Sequence, residues 1–391
     1  MKRTRTSSLC RAAVAVVVAS CFLLRAPAFS QAISAPGSFS VSQPPLYSIV
    51  DLGTIGGPHP FGRVSIASLN KSGQIAGYFN DIKGTTHQLT SQAFTWKDGH
   101  TTLLPPLPGF LYCTASAQND SGVVVGQSHN NIRDVKVGGR TVEEGGNACA
   151  CAWEAGKPRR LKAQGAGNSG ANAVNGQGDI AGQYTVITRK SYTEHACLWR
   201  HGGGFTDLGP APALHGKKSS LGWAAMRIND QGQVLGEIIG SEEEKAGPTL
   251  VFWEKGYARL ATMQDRHQML QVKNAHGQVL RGAELVSEGK VIPLRWSGRP
   301  AQGLDLNDMG QVVGGVPAVK LNLPPSAQRT AYDDHAFLWE AGQMHDLNDQ
   351  VSVVKGWILV EALNIDEQGR ILVWASRPMD DRPILLVPVS K

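Results

Sequence analysis

The sequence contains 391 residues, 41% of them hydrophobic and 18% charged, and carries a formal net charge of +6. The first 28 residues hold five basic and no acidic side chains, so the rest of the chain is close to +1. A nearly neutral chain excludes the strongly basic surface that general binding to nucleic acid or to anionic membranes requires.

The chain begins with a segment typical of an export signal. Four basic residues lie within positions 2–11, an apolar run follows at 12–24, and Ala26-Pro27-Ala28 has the small-x-small form of a cleavage site. The run is too short for a retained membrane span. An alternative is lipoprotein processing in 18–21, which would leave a lipid on Cys21. Both interpretations predict an exported protein that is secreted or held in the periplasm or cell envelope.

Two further segments follow the predicted signal peptide 1–28. Residues 29–46 are rich in Ser, Pro and Ala and have little to bury, so we expect a flexible leader. Residues 47–391 continue without another break in composition. This length exceeds a typical single core, but a repeat fold tolerates it because each unit contacts mainly its neighbours.

A short hairpin motif recurs seven times in the segment 47–391. Each copy reads Asn-x-x-Gly, followed by a small apolar run that usually ends in a second Gly. Asn at the first position of a type I turn bonds its side-chain oxygen to the backbone, and Gly at the fourth position accepts a positive φ. We therefore predict a tight hairpin at every copy. The copies are Asn70/Gly73, Asn119/Gly122, Asn175/Gly178, Asn229/Gly232, Asn274/Gly277, Asn307/Gly310 and a divergent Asp366/Gly369.

A second signature follows most of the hairpins. Successive copies begin 33 to 59 residues apart, a period typical of solenoids, propellers and arrays. After six of the seven hairpins comes an apolar strand that ends in Trp, then a turn, then a strand that often contains Asp-Leu. Each repeat thus offers four short strands, which favours the blades of a β-propeller. The strands ending in Trp are 93–96, 150–153, 196–199, 250–253, 293–296 and 336–339.

The two ends of the repeat region complement each other. Residues 47–53 resemble the fourth strand of a repeat but precede the first hairpin, whereas the last repeat stops after a third strand at 383–388. Pairing these segments would complete seven units and remove two exposed strand edges. The predicted fold is therefore all-β, a seven-bladed β-propeller of four-stranded blades closed by the N-terminal strand. An open solenoid would instead leave one strand unpaired.

The combination of these motifs carries a family resemblance. The segments 335–339, 93–94 and 195–197 read His-Ala-Phe-Leu-Trp, Ala-Phe and His-Ala-Cys, each after Asn-x-x-Gly-x-x-x-Gly and before a fourth strand. This pattern resembles the bacterial extracellular repeats named for the His-Ala-Phe triplet (HAF repeats). The resemblance covers nearly all of 47–391 and implies an exported repeat protein, in a family whose members mostly lack an assigned activity. Two repeats depart from it, with Arg281 before a late Gly282 and with Val373 where Gly is usual.

Four cysteines remain after the signal segment: Cys113, Cys149, Cys151 and Cys197. An exported protein can form disulfides, and four cysteines allow three pairings among which the sequence does not choose. Cys151 and Cys197 stand where other repeats have Phe, which favours a role as small buried residues.

Other residues with chemical potential favour structural roles. His195 and His335 share one repeat position, but the other repeats have unrelated residues there, so a metal ring is not indicated. The Asn-Asp pairs at 119, 229 and 307 lack the alternating ligands of a calcium loop. The Trp series suits an inter-blade core better than a sugar-stacking platform. We predict no catalytic residue, metal ligand or cofactor, because no nucleophile-elbow, zinc-protease or phosphate-loop pattern is present.

The connections between second and third strands are the candidate binding surface. They are long and unlike one another, and they leave from one face of the predicted ring, whereas the other face has tight turns. The connections are 80–91, 130–147, 186–194, 241–248 and 317–334. Two in neighbouring blades are locally basic, and the candidate ligand-binding residues are Arg133, Lys136, Arg140, Arg189 and Lys190. Ordinary solvated surface charge is the alternative interpretation.

Three functions are compatible with this pattern. The first is a monomeric, non-enzymatic binding module whose partner is a glycan or a protein. The second is a propeller enzyme acting on extracellular polysaccharide at the channel mouth, which would need converging acid and base residues. The third is a structural component of the cell envelope or matrix. The sequence does not identify a ligand.

Overall fold

The computed structural model describes most of the predicted repeat region. The described residues are 47–55, 63–83, 88–130, 133–137, 140–144, 147–164, 167–187, 192–212, 222–238, 249–316, 334–351, 357–377 and 380–389. The predicted signal peptide and leader lie outside these ranges. Within them, no helix is long and apolar enough to cross a bilayer.

Antiparallel strands dominate the described residues and form seven four-stranded sheets, in six of which the four strands are arranged in chain order. The first strand of the chain, β1 (Tyr47–Asp51), joins the last sheet. Sheet 1 contains β2 (Arg63–Leu69), β3 (Ile75–Lys83), β4 (Gln88–Lys97) and β5 (His100–Leu103). Sheet 2 contains β6 (Tyr112–Gln118), β7 (Val124–His129), β10 (Ala148–Glu154) and β11 (Lys157–Arg160). Between β7 and β10, the strands β8 (Arg133–Val137) and β9 (Arg140–Glu144) form a separate hairpin.

The middle of the chain continues the same order. Sheet 3 contains β12 (Ser169–Val174), β13 (Ile180–Ile187), β14 (Tyr192–Trp199) and β15 (Phe205–Asp207). Sheet 4 contains β16 (Trp223–Ile228), β17 (Val234–Ile238), β18 (Leu250–Glu254) and β19 (Tyr257–Leu260). A seven-residue helix, α1 (Met263–Met269), follows; Thr262 and Asp265 form a capping box at its N-terminus.

Three more sheets complete the chain. Sheet 5 contains β20 (Val272–Lys273), β21 (Val279–Arg281), β22 (Glu284–Ser287) and β23 (Lys290–Pro293), and a small hairpin of β24 (Arg295–Trp296) and β25 (Arg299–Pro300) follows it. Sheet 6 contains β26 (Gln302–Leu306), β27 (Val312–Val316), β28 (His335–Glu340) and β29 (Gln343–Asp346). Sheet 7 contains β30 (Ile358–Ile365), β31 (Ile371–Arg377), β32 (Asp380–Pro388) and β1. Short 3-10 turns lie at Leu52–Thr54 and Leu347–Asp349.

The predicted pairing between the two ends of the repeat region is confirmed. Strand β1 runs antiparallel to β32, with Tyr47 opposite Pro388 and Asp51 opposite Ile384. Tyr47 and Leu52 are buried in two different core clusters, both of which include residues of sheet 7. The N-terminal strand therefore supplies both the missing fourth strand and part of the core.

The Asn-x-x-Gly copies form the predicted turns. In the first copy the Gly73 amide donates to the Asn70 carbonyl at 2.9 Å, and Gly73 has a φ of +80°. The Asn70 side-chain oxygen accepts from the Gln74 amide at 2.9 Å. Every first-to-second connection is five residues long. We call the end of each sheet that carries these turns and the third-to-fourth turns the turn end, and the opposite end the loop end.

The second Gly of the motif is required by a close approach of two strands. A β-bulge in the first strand brings its backbone against the second, so a Cβ at Gly126 would lie 1.9 Å from the Thr114 carbonyl oxygen. Equivalent contacts occur at Gly77, Gly182, Gly236 and Gly314. Sheet 7 has Val373 at this position, and its first strand contains a second bulge between Leu359 and Glu361. Among the sheets with a bulged first strand, sheet 7 alone has a side chain at this position, and it alone has the extra bulge.

Sheet 5 corrects one predicted strand. The segment 293–296 was expected to be a third strand, but the third strand is Glu284–Ser287, and Trp296 belongs to the separate hairpin β24–β25. Only Gly282 and Ala283 separate the second and third strands, and Gly282 has a φ of +60°. This tight reversal starts the third strand early, so the Trp of this repeat falls beyond the fourth strand.

The hydrophobic core lies largely between neighbouring sheets. One cluster joins Ala76 and Ala93 of sheet 1 to Val124 and Trp153 of sheet 2, and other neighbouring sheets share similar clusters. The Trp153 indole donates to the Pro105 carbonyl of the preceding connection at 2.7 Å. The interpretation of the Trp series as inter-sheet core therefore holds for this residue. The cluster between sheet 4 and α1, which has only three buried residues, is the smallest in the described part of the chain.

All four cysteines of the repeat region are buried and free. Cys113 and Cys149 both lie opposite Ser128, on either side of β7, which places their Cα atoms roughly 9–10 Å apart by ordinary strand spacing. A disulfide needs less than about 7 Å. Cys151 and Cys197 occupy the register position of Phe94 and are fully buried, as predicted.

We expect these thiols to resist alkylation in the folded protein. Burial raises the pKa of Cys113 to about 11 and that of Cys151 to about 12, so little thiolate exists at pH 8. Mass spectrometry after iodoacetamide treatment should find all four unlabelled in buffer and all four labelled in urea without reductant. Resistance in urea that a reductant abolishes would reveal a disulfide and contradict the structure.

Candidate functional site

Three of the five predicted basic residues lie on a hairpin at the loop end of sheet 2. The backbone places Arg133 and Lys136 on β8 and Arg140 on β9, with Arg133 opposite Glu144. Arg189 and Lys190 lie outside the described residues, so their approach to this hairpin stays a prediction. The loop at 130–147 is thus a hairpin of its own rather than an irregular segment.

Another predicted loop is shorter than expected. Strands β3 and β4 continue to pair through 80–91, as far as Lys83 opposite Gln88. The connection proper is therefore four residues long. Most of this expected binding loop is an extension of sheet 1.

The turn end contains a chain of hydrogen bonds that the sequence analysis missed. The Asn70 side-chain amide donates to the Asn119 carbonyl of the next turn at 3.2 Å. Four further steps have the same form at 3.0 Å: Asn119 to Asn175, Asn175 to Asn229, Asn274 to Asn307, and Asn307 to Asp366. Asn229 instead donates to Gln233 of its own turn. The available signal was the recurrence of Asn, because Asp would make the same turn but has no amide to donate.

A second set of contacts involves the residue after each Asn. Backbone amides donate to the carboxylate of the following turn, at 3.0 Å from Lys71 to Asp120 and 2.9 Å from Asp308 to Glu367. Gly176 to Asp230 and Ala275 to Asp308 repeat this contact. The Asn-Asp pairs predicted to be turn formers therefore also link neighbouring turns.

Lys71 connects turns that are far apart in the sequence. Its ammonium nitrogen lies 3.4 Å from an Asp308 carboxylate oxygen and 3.7 Å from one of Glu367. Sheet 1 is thereby joined to sheets 6 and 7. The turn end gathers acidic side chains around one lysine.

The last step of the turn chain uses different chemistry. Asp366 is fully buried, and its side chain has no amide N–H that could donate to the Asn70 carbonyl of the next turn. Its carboxylate instead pairs with the Arg370 guanidinium at 2.5 Å. Arg370 also donates to Asp98 at 2.6 Å and to the Ser72 carbonyl at 3.4 Å. Arg370 thus links sheet 7 to sheet 1, where the Asn side chain is missing.

Asp305 is an acidic group inside the first strand of sheet 6. It accepts hydrogen bonds from the backbone amides of Leu306 at 2.9 Å and Ile365 at 3.0 Å, and from the Asn364 side chain at 3.2 Å. Burial raises the pKa of this carboxyl to about 6, and the nearby charge of Asp120 adds to the effect. These contacts tie the first strands of sheets 6 and 7 together.

The raised pKa of Asp305 predicts a loss of stability as the pH increases. An unfolded Asp titrates near 3.9, so between about pH 4 and pH 6 the folded chain holds a proton that the unfolded chain has released. The free energy of unfolding should therefore fall across this window, by about 3 kcal/mol in total from this group. Denaturant unfolding at several pH values should show a shallower fall for Asp305→Asn. The exposed control Asp349→Asn should retain the fall, and an unchanged profile in Asp305→Asn would contradict this assignment.

The two repeated histidines pair with aspartates of the fourth strands. His195 Nδ1 lies 3.0 Å from Asp207, and His335 Nδ1 lies 2.5 Å from Asp346. In sheet 7 the pair at the equivalent position is Arg382 with Asp51, at 3.0 Å. These side chains hold outer strands to third strands, which agrees with the predicted structural role. No group of three or more His, Cys, Asp or Glu in the described ranges is placed to hold a metal ion.

The chain matches no family model, and it matches no curated protein. Among solved structures it is similar to a glycosyl hydrolase from Bacteroides ovatus, at 8% sequence identity and a TM-score of 0.27. This match covers 89% of the present chain and 93% of the other.

Proposed function

We propose that this chain is an exported HAF-repeat protein that folds as a closed seven-bladed β-propeller and binds a glycan or protein ligand at its loop end. Each four-stranded sheet would be one blade. The predicted signal segment would direct the protein to the periplasm, the cell envelope or the medium.

Contacts between the first and last sheets support the closed ring. One core cluster contains Leu372 and Leu385 of sheet 7 together with Ile66 and Ile75 of sheet 1. Arg370 and Lys71 add polar links between the same parts of the chain. An open solenoid would have no reason to bury the first repeat against the last.

The difference between the two ends of the sheets carries the functional proposal. All seven first-to-second connections at the turn end have five residues, and hydrogen bonds join most of them to the next. The second-to-third connections at the loop end range from two residues in sheets 5 and 7 to eighteen in sheets 2 and 6. Variable loops on a rigid frame are the usual location of binding residues.

The test is an array of polysaccharides probed with the exported protein, followed by turnover assays on every hit. Binding without turnover would support the binding module, turnover would support a propeller enzyme, and neither would favour a structural component. Charge reversal at Arg133, Lys136 and Arg140 should abolish binding to an anionic hit. Reversal of three exposed turn-end lysines, Lys97, Lys157 and Lys290, is the matched control and should leave binding intact.

A further inference from the structure

The grooves between neighbouring turn ends differ in what fills them. Between sheets 7 and 1, Arg370 occupies the groove, and its guanidinium packs so tightly on Gly73 that a Cβ there would lie 1.3 Å from a guanidinium nitrogen. Asp98, in the third-to-fourth turn of sheet 1, accepts from this guanidinium at 2.6 Å. This groove is closed by an internal ion pair.

The corresponding groove between sheets 3 and 4 carries the opposite charges. Asp179 stands at the repeat position of Arg370, four residues after the start of the Asn turn. Lys255 stands at the position of Asp98, and both residues have a φ close to +49°. The Asp179 side chain is too short to cross the groove as Arg370 does, and it pairs with Arg200 at 2.8 Å. A cavity of about 190 Å³ remains between Arg200 and Lys255.

The walls of this cavity contain polar groups without protein partners. The Lys255 side chain has no hydrogen bond or ion pair in the described part of the chain, and the Arg200 guanidinium uses only one of its nitrogens there, to donate to Asp179 at 2.8 Å. Trp253 is 8% exposed and lines the cavity. Trp153 and Trp199 donate their indole N–H to backbone carbonyls, whereas that of Trp253 has no acceptor among the described residues.

One acidic group completes the lining and has a fixed orientation. The Gln233 side-chain amide donates to Glu254 at 2.8 Å. The Gln233 side-chain oxygen in turn accepts hydrogen bonds from Asn229 at 2.7 Å and Gln268 at 2.9 Å, which orient the Gln233 side chain. Glu254 can accept a hydroxyl hydrogen from a ligand, while Arg200 and Lys255 on the other sides favour a negative charge.

We propose that the groove between sheets 3 and 4 binds a uronic-acid sugar, with its carboxylate between Arg200 and Lys255 and its hydroxyls toward Glu254 and the Trp253 N–H. The cavity is smaller than the 300–1,000 Å³ typical of drug-sized ligands, which suits a single sugar ring. In the groove between sheets 7 and 1, the Arg370 side chain fills the space and pairs with Asp98. In the groove between sheets 3 and 4, the charges are reversed and the space is open, and the ligand carboxylate occupies it. This site lies at the turn end and is independent of the loop-end surface.

The site is tested by nuclear magnetic resonance titration of the exported protein with sodium glucuronate, glucose or acetate. The reporter is the Trp253 indole N–H signal, assigned with Trp253→Phe. Glucuronate should shift this signal saturably, and glucose and acetate should bind at least tenfold more weakly. Equal binding of acetate or glucose, or no shift with glucuronate, would overturn the proposal. The loop-end array result does not affect this readout.

Variants distinguish specific binding in this groove from a general effect of surface charge on glucuronate binding. Lys255→Ala should weaken glucuronate binding about tenfold or more, because a charge-assisted contact is lost. Lys97→Ala, at an exposed position in sheet 1, is the control and should bind normally. The double variant Asp179→Arg/Lys255→Asp reproduces the pair of Arg370 and Asp98 and should close the groove to glucuronate. Undiminished binding in Lys255→Ala or in the double variant would also overturn the proposal.

Discussion

Replacing Arg370 by alanine is expected to lower the free energy of unfolding by about 3–5 kcal/mol. The substitution leaves the fully buried Asp366 carboxylate without its cation, and breaking one side of a buried ion pair carries this cost. It also removes the contacts of Arg370 with Asp98 and the Ser72 carbonyl, which join sheet 7 to sheet 1. Equilibrium denaturation in urea is the measurement.

A double variant distinguishes the buried charge from loss of the side chain alone. In sheet 6, Asn307 donates to Gln311 at 2.7 Å and to the next turn at 3.0 Å. Asp366→Asn/Arg370→Gln installs this pair in sheet 7 and should recover most of the stability lost in Arg370→Ala. If the double variant is as unstable as Arg370→Ala, the hydrogen bonds that link successive turns do not explain the role of Arg370.

Removing residues 47–55 is expected to prevent stable folding. The deletion exposes the edge of β32 and takes Tyr47, Leu52 and Ile55 out of the core. Burying each large apolar side chain contributes about 1.5–3 kcal/mol, so the loss of about 4.5–9 kcal/mol from the three residues rivals the whole stability of a typical domain. The free strand edge should also promote aggregation. Soluble yield and thermal unfolding are the measurements.

A deletion of equal length supplies the control. Removing 38–46, within the predicted leader, should leave the melting temperature unchanged. Leu52→Ala is a milder variant that should fold and lose about 2–5 kcal/mol, because Leu52 is fully buried. A stable, monomeric protein lacking 47–55 would show that β1 is not needed to complete sheet 7.

Much of the secondary structure follows from patterns within one repeat. Asn-x-x-Gly predicts each hairpin because a turn depends on four neighbouring residues, and the Trp strand predicts the third strand of most sheets. The pattern fails in sheet 5, where Gly282 allows a reversal so tight that the third strand comes early. The expected loop at 80–91 is largely paired strand, because a strand can extend beyond its motif without any change in composition.

The candidate sites were less predictable. The basic loop residues were recognised from composition alone, and the structure gives the backbone of only Arg133, Lys136 and Arg140 among them. Nothing in the sequence singled out Arg200 or Lys255, because each is an ordinary charged residue in a turn. Their relation emerges only when the groove is compared with the one that Arg370 fills.

The sequence by itself determined the hairpin turns, the four strands of most repeats and the pairing of the first strand with the last sheet. These features depend on local dihedral preferences and on a strand left without a partner. Only the tertiary structure decided that Asn side chains link successive turns, that Lys71 reaches Asp308, and that Asp305 holds its proton up to about pH 6. Such contacts depend on the distance and orientation between neighbouring sheets, which no single repeat encodes.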